Sequence, residues 1–210
     1  MNLVCMDKTG SLQDNISFLS NVLFYRRTEG ADAYLDEFSD FDVKKLRLLT
    51  RKKLSAILLD VDGCIAPPCG NICGKNLRKI KELQGQDMEM GVYSNCRELS
   101  RLDPLRALDI RIYDGNEPKP KPEGFLNACA FFDFDPMETW MVGDNPLTDG
   151  GAIGVLNGVA FVKPIPENWR ALPDGRIIPF YFQKIFRYLA MRTTLKINPG
   201  IITTEILRHY

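Results

Sequence analysis

Histidine is almost missing from this chain: His209 is the single one among 210 residues. That excludes Ser-His-Asp and Cys-His nucleophilic sites and HExxH metal sites. Net charge is missing too, since 27 basic and 27 acidic residues cancel, and no bulk basic field points to nucleic acid. No apolar run approaches the ~20 residues that span a bilayer, and Met1 does not open a charged-then-apolar leader. The expected compartment is cytoplasmic. Cysteine is scattered, at positions 5, 64, 69, 73, 96 and 129, too dispersed for a disulfide scaffold. Cys64, Cys69 and Cys73 crowd one loop and with Cys96 could in principle offer four thiolates to zinc. No CxxC pair is present, however, and reduced thiols are the simpler reading. Any catalysis is left to carboxylates, lysines and hydroxyls.

At 45% hydrophobic content the chain can bury one substantial core. Short apolar runs recur in "SAILLDV", "MEMGVYSN", "IRIYDG", "TWMVGD" and "GVAFVKP", each suited to a strand buried on both faces. Helical patterns lie between them. "GKNLRKIKELQG" repeats Leu77, Ile80 and Leu83 on one face, while "RELSRLDPLRAL", "PEGFLNACAFF" and "PLTDGGAIGVLNG" are weaker. The alternation predicts an α/β fold, a doubly wound parallel sheet over residues 54–165. Residues 1–53 read as a helical extension packing on that core, through "LQDNISFLSNVLFY" and "DFDVKKLRLLTRKK". Residues 166–210 read as an aromatic and basic helical segment, "IIPFYFQKIFRYLAMR", carrying Lys184, Arg187 and Arg192. A helix covering a core edge fits that composition, and so does peripheral membrane or partner contact through residues 178–192. The ending "TTEILRHY" carries no Gly or Pro stop signal, which leaves open a natural chain extending past Tyr210.

The run "LLDVDGCIAPP" ends in Asp60 and Asp62, two carboxylates at i and i+2 that would share a strand face and repel each other. A cation or a reaction is needed to hold such a pair. In doubly wound sheets the site lies at the carboxyl ends of the strands. Asp60, Ser94 and Asp144 each close a predicted strand and should converge there.

Together these features resemble the haloacid dehalogenase superfamily. "DVDGC" looks like its first motif, "VYSN" its second, "KPKPEGF" its third and "VGDNPLTD" its fourth, in the expected order at strand ends. The resemblance implies a Rossmann-like core. The intervals from Asp60 to Ser94 and from Ser94 to Lys119 hold no more than the helices and strands already assigned, so no sizeable cap is expected.

Phosphoryl transfer needs an in-line nucleophile, cationic charge against the equatorial oxygens and a proton donor for the leaving alkoxide. Asp60, ionised at neutral pH, suits the nucleophile. Asp62 would protonate the leaving group and then activate water; in the family this second aspartate accompanies phosphatase activity. Ser94 and Asn95 would donate to the phosphoryl oxygens and Lys119 would add positive charge. Asp144, Asp60 and the Asp62 carbonyl oxygen would hold Mg²⁺, a hard cation that prefers oxygen. Asp149 would be either a metal-shell carboxylate or an anchor for Lys119.

Plainer roles remain beside these. Asp60, Asp62 and Asp144 could be turn residues, Ser94 a helix cap and Asp149 a partner for a helix N-terminus. Lys121 competes with Lys119 for the phosphate. Cys64 stands where threonine or valine is usual in the family; it fills the turn as a small residue or brings an oxidisable thiol near the phosphate.

Capless members of the family commonly act on large phosphorylated substrates. A phosphoprotein, phosphotyrosine included, is the leading expectation, since magnesium-dependent protein-tyrosine phosphatases share this open arrangement. "FDVKKLRLLTRKKLSAILLDVDG" and "GDNPLTDGGAIGVLNG" resemble the branch with phosphatidylglycerophosphate phosphatases, which keeps a lipid phosphate next and a small metabolite third. A binding protein on the same scaffold, working through its aromatic and basic tail, is the alternative of a different class.

Overall fold

The computed structural model describes residues 30–95, 99–115, 117–166 and 177–210, with the backbone alone for Leu99 and residues 177–183. The helix expected over "LQDNISFLSNVLFY" and the thiol of Cys96 lie outside the described residues.

Seven parallel strands form one sheet in the order β4-β3-β2-β5-β6-β1-β7. They are β1 (Ala33–Leu35), β2 (Ala56–Leu59), β3 (Glu89–Val92), β4 (Arg111–Ile112), β5 (Thr139–Gly143), β6 (Gly158–Val162) and β7 (Ile202–Thr203). Six helices are described: α1 (Val43–Thr50), α2 (Gly74–Gln84), α3 (Asp103–Arg106), α4 (Pro122–Phe132), α5 (Ile177–Ile197) and α6 (Thr204–His209). The doubly wound α/β arrangement is thus present, with no large cap among the described residues.

The central strands are apolar without interruption because both sides of the sheet are covered. All four residues of β2 and all five of β5 are buried. Alternation sorts them: Ile57, Leu59, Trp140 and Val142 enter one core cluster, while Leu58 and Met141 enter the other. The first cluster receives Leu46 from α1, Ile80 and Leu83 from α2 and Leu105 from α3. The second receives Phe125, Ala128 and Phe132 from α4 and Met191 from α5.

Local signals set the helix limits. Asp42 caps α1, accepting from the Lys45 amide at 3.0 Å, and Arg51 ends it in the left-handed conformation. Pro122 opens α4 at a position where a missing N–H costs nothing, and Asp133 closes it with φ of +65°.

Three differences from the sequence reading concern elements. β1 and β7, unforeseen, pair with each other, and β1 also pairs with β6, so segments expected to be helical add strands to one sheet edge. "PLTDGGAIGVLNG" is no helix: a short 3-10 turn, Asp149–Ala152, carries the chain from β5 toward β6. Gly150, Gly151 and Gly154 weaken helix there, and the Asp149 carboxylate is spent on the Asn145 amide. Of "RELSRLDPLRAL", the described residues form the 3-10 turn Leu99–Leu102 and the single turn of α3.

Candidate active site

The chain runs from β2 outward to β3 and β4, then returns to β5 on the other side of β2. The strand order therefore reverses between β2 and β5, and the crevice at their carboxyl ends is where such sheets place ligands. Asp60 follows β2 and Asp144 follows β5.

The Asp60 amide donates to the Val142 carbonyl at 2.9 Å, keeping the exit from β2 tied to β5. The next residues fold back sharply. The amides of Cys64, Ile65 and Ala66 all donate to the Val61 carbonyl, and Gly63 donates to the Ala66 carbonyl at 2.7 Å. Gly63 has φ of +89°, and a Cβ there would lie 2.3 Å from Asp144 Oδ2. Glycine is needed both for the conformation and for clearance. Gly143, ending β5, gives the same clearance to Asp149, whose Oδ2 would lie 2.1 Å from an added Cβ.

Lys119 is buried, with Nζ 2.9 Å from Asp60 Oδ1 and 2.5 Å from Asp149 Oδ1. Asn95 fixes its backbone from both sides: the Asn95 amide group donates to the Lys119 carbonyl at 3.3 Å, and its oxygen accepts from the Lys119 amide at 3.0 Å. The Lys119 ammonium also lies 5.7 Å from the centre of the Tyr93 ring. Both Asp149 oxygens are engaged, since Oδ2 accepts from the Asn145 amide at 3.0 Å. Of the two roles considered for Asp149, this geometry is that of an anchor for the lysine. Lys121 is exposed at the cap of α4, outside the cluster. Ser94 is half-buried in the loop after β3, beside Asn95.

Asp62 stands apart from the group formed by Asp60, Asp144 and Asp149. Its Oδ1 accepts from Arg101 Nη2 at 2.7 Å and from the Cys69 amide at 3.1 Å. Arg101 also donates to the Gly70 carbonyl, from Nε at 2.9 Å and Nη2 at 2.6 Å, so one guanidinium ties the proline-cysteine loop to Asp62. Sequence reasoning missed Arg101. It also missed Arg187, on α5, whose Nη1 lies 2.7 Å from Asp144 Oδ2. Neither arginine belongs to a motif, and no local pattern marks them.

Burial dominates the electrostatics. It lifts the Asp144 carboxyl well above the usual carboxylate range, with Arg187 opposing and Asp60 adding to the rise. Asp149 is also raised by burial, against the pull of Lys119. Burial works against the charge on Lys119, but Asp149 and Asp60 outweigh it and hold the ammonium above its ordinary range. The Cys64 thiol is pushed well up by burial and then by Asp60 and Asp144. An oxidisable thiolate at Cys64 is therefore disfavoured.

The residues present fit a divalent metal. Asp60, Asp144 and Asp149 each bring a carboxylate oxygen within 4.8 Å of the others, all three are buried, and the donors are all oxygen. That set suits a hard cation, and Gly63 leaves the Asp144 oxygens uncrowded. Among the described residues the cysteines join no such group.

The motif residues Asp60, Asn95, Lys119, Asp144 and Asp149 thus meet at the carboxyl ends of β2, β3 and β5 and at the entry to α4. These are the residues on which the resemblance to the haloacid dehalogenase superfamily rests. No protein-family model matches the chain, and no curated protein matches it. Among solved structures, a Legionella pneumophila protein named provisionally as a HAD superfamily (subfamily III A) hydrolase is 17% identical, with a TM-score of 0.45 over 73% of this chain and 97% of its own. An uncharacterized protein from Listeria monocytogenes is 13% identical, with a TM-score of 0.44 over 63% of this chain and 99% of its own. A hypothetical protein from Xanthomonas campestris is 13% identical, with a TM-score of 0.44 over 100% of this chain and 99% of its own. No helix among the described residues is long and apolar enough to cross a membrane.

Proposed function

We propose that this protein is a magnesium-dependent phosphatase that hydrolyses phosphomonoesters through an aspartyl-phosphate on Asp60. The observation that carries the reading is the buried contact of Lys119 with Asp60 at 2.9 Å, within a group of three metal-competent carboxylates. Asp60 is the nucleophile, and Lys119 sets positive charge beside the oxygen that attacks and the phosphoryl group that arrives. Asp60 and Asp144 would hold Mg²⁺, with Asp149 behind Lys119. Bound there, the ion would neutralise negative charge on the phosphoryl oxygens. Ser94, after β3, would donate to the phosphate.

Asp62 is the acid–base group, steadied by Arg101 and the Cys69 amide. An aryl phosphate, whose phenolate leaves with little protonation, asks less of a general acid than an alkyl phosphate does, and a phosphotyrosine protein is the substrate we favour. The lack of a large cap among the described residues is in keeping with a macromolecular substrate. A lipid phosphate is the second reading, favoured by one observation: Phe186, Tyr188 and Leu189 of α5 are exposed beside Arg187, which touches the site.

The test is Mg²⁺-dependent hydrolysis of para-nitrophenyl phosphate, followed by phosphotyrosine peptide, phosphoserine peptide and lipid phosphate at equal concentration. Turnover should vanish in Asp60→Asn and be fastest on the phosphotyrosine peptide. Absence of turnover on every phosphomonoester refutes the phosphatase, and preference for the lipid reverses the substrate order.

A further inference from the structure

Among the described residues, Arg187 is the one charged group touching the metal-competent carboxylates that no motif supplies. It lies on α5, far along the chain from β5, and pairs with Asp144 Oδ2 at 2.7 Å with 13% of its side chain exposed against 1% for Asp144. Met191, one turn on from Arg187 and so on the same side of α5, packs into the core, while Tyr188 is exposed. The core contact holds α5 in place, and Arg187 is thereby held against Asp144.

A guanidinium stays charged at any ordinary pH and presents a planar fork of donors that fits carboxylate and phosphate alike. Counted as ionised, Asp60, Asp144 and Asp149 bring three negative charges against two positive ones from Lys119 and Arg187. A divalent cation on the same carboxylates makes the set net positive, which suits a phosphate dianion. It also sets a second cation beside Arg187 on one carboxylate, where like charges repel. The guanidinium then has reason to leave Asp144 for the phosphoryl oxygens of a substrate.

Resting on the phosphatase reading, we propose that Arg187 is a phosphate-binding residue that competes with the metal for Asp144 and turns to the substrate's phosphoryl oxygens once the metal is bound. The helix that carries it forms a wall of the substrate site, and the specificity of the enzyme is written partly on α5.

The test titrates the full chain, Arg187→Gln and Arg187→Lys by calorimetry, first with Mg²⁺ alone and then with inorganic phosphate at saturating Mg²⁺. Loss of the charge in Arg187→Gln should tighten Mg²⁺ binding by about tenfold and weaken phosphate binding by about tenfold. Arg187→Lys should show smaller changes of the same signs, and it carries the test should the glutamine variant fail to fold. Mg²⁺ affinity that does not rise, or phosphate affinity that does not fall, overturns the proposal. Both shifts in a protein that turns over no phosphomonoester leave Arg187 as an anion ligand and remove the phosphatase reading alone.

Discussion

Lys119 Nζ stands 2.9 Å from Asp60 Oδ1 with both residues buried, and its other partner, Asp149, is buried as well. A buried cation shared by two carboxylates adds little net stability over an apolar filling, yet its removal strands both anions. Lys119→Ala is therefore expected to destabilise the fold by about 3–5 kcal/mol and to abolish turnover. Urea unfolding measures the first and phosphate release the second. An unchanged unfolding midpoint would contradict the pairing.

Two glycines with positive φ separate backbone strain from crowding. Gly63→Ala meets both, since φ is +89° and the new Cβ would lie 2.3 Å from Asp144 Oδ2. Gly154→Ala meets strain only, because φ is +77° and nothing lies within 4 Å. Each should lose about 1–2 kcal/mol from strain, and Gly63→Ala should lose more and bind Mg²⁺ poorly. Calorimetry showing equal Mg²⁺ affinity in the two variants would count against the placement of Asp144 at the metal.

Cys64 is buried, donates weakly to the Val142 carbonyl at 3.7 Å and has its thiol pushed well above the usual range. A raised pKa means that the thiol stays protonated and unreactive at pH about 8, below even its ordinary range. Iodoacetamide at that pH should alkylate half-buried Cys69 and Cys73 in the native protein and spare Cys64 until urea is added. Peptide mass mapping reads the outcome, and early labelling of Cys64 would refute it.

Arg101 holds Asp62 and the Gly70 carbonyl together. Arg101→Ala should lower kcat about 10–100-fold, as expected for a displaced acid–base group, with little change in KM. Amide exchange at Cys69 and Gly70 should quicken in the same variant. A raised KM at constant kcat would show that Arg101 acts on the substrate instead.

The parts of the fold legible in the sequence are those where local pattern and burial agree. β2 and β5 are continuous apolar runs because the sheet is covered on both faces, and their aspartates fall where parallel strands end. β1 and β7 were not legible: they are three and two residues long, too short for a pattern, and are strands only because they pair with each other and with β6. The site divides likewise. Asp60, Lys119, Asp144 and Asp149 announce themselves through glycine, proline and strand-end context. Arg101 and Arg187 are positioned by tertiary packing, and an arginine on a helix surface carries no sequence mark of the carboxylate it will meet.

The edge formed by β1 and β7 sets an order of events for the chain. Asp36 donates its amide to Thr204 Oγ1 across 168 residues of sequence, next to the strand pairing that begins at Ala33 and Ile202. During synthesis, β2 through β6 and the aspartates that follow β2 and β5 can assemble while β1 still waits with one edge unsealed. Closing that edge needs β7 to leave the ribosome, so the nascent chain passes through an interval in which its central strands are paired and its sheet remains open to a stray strand.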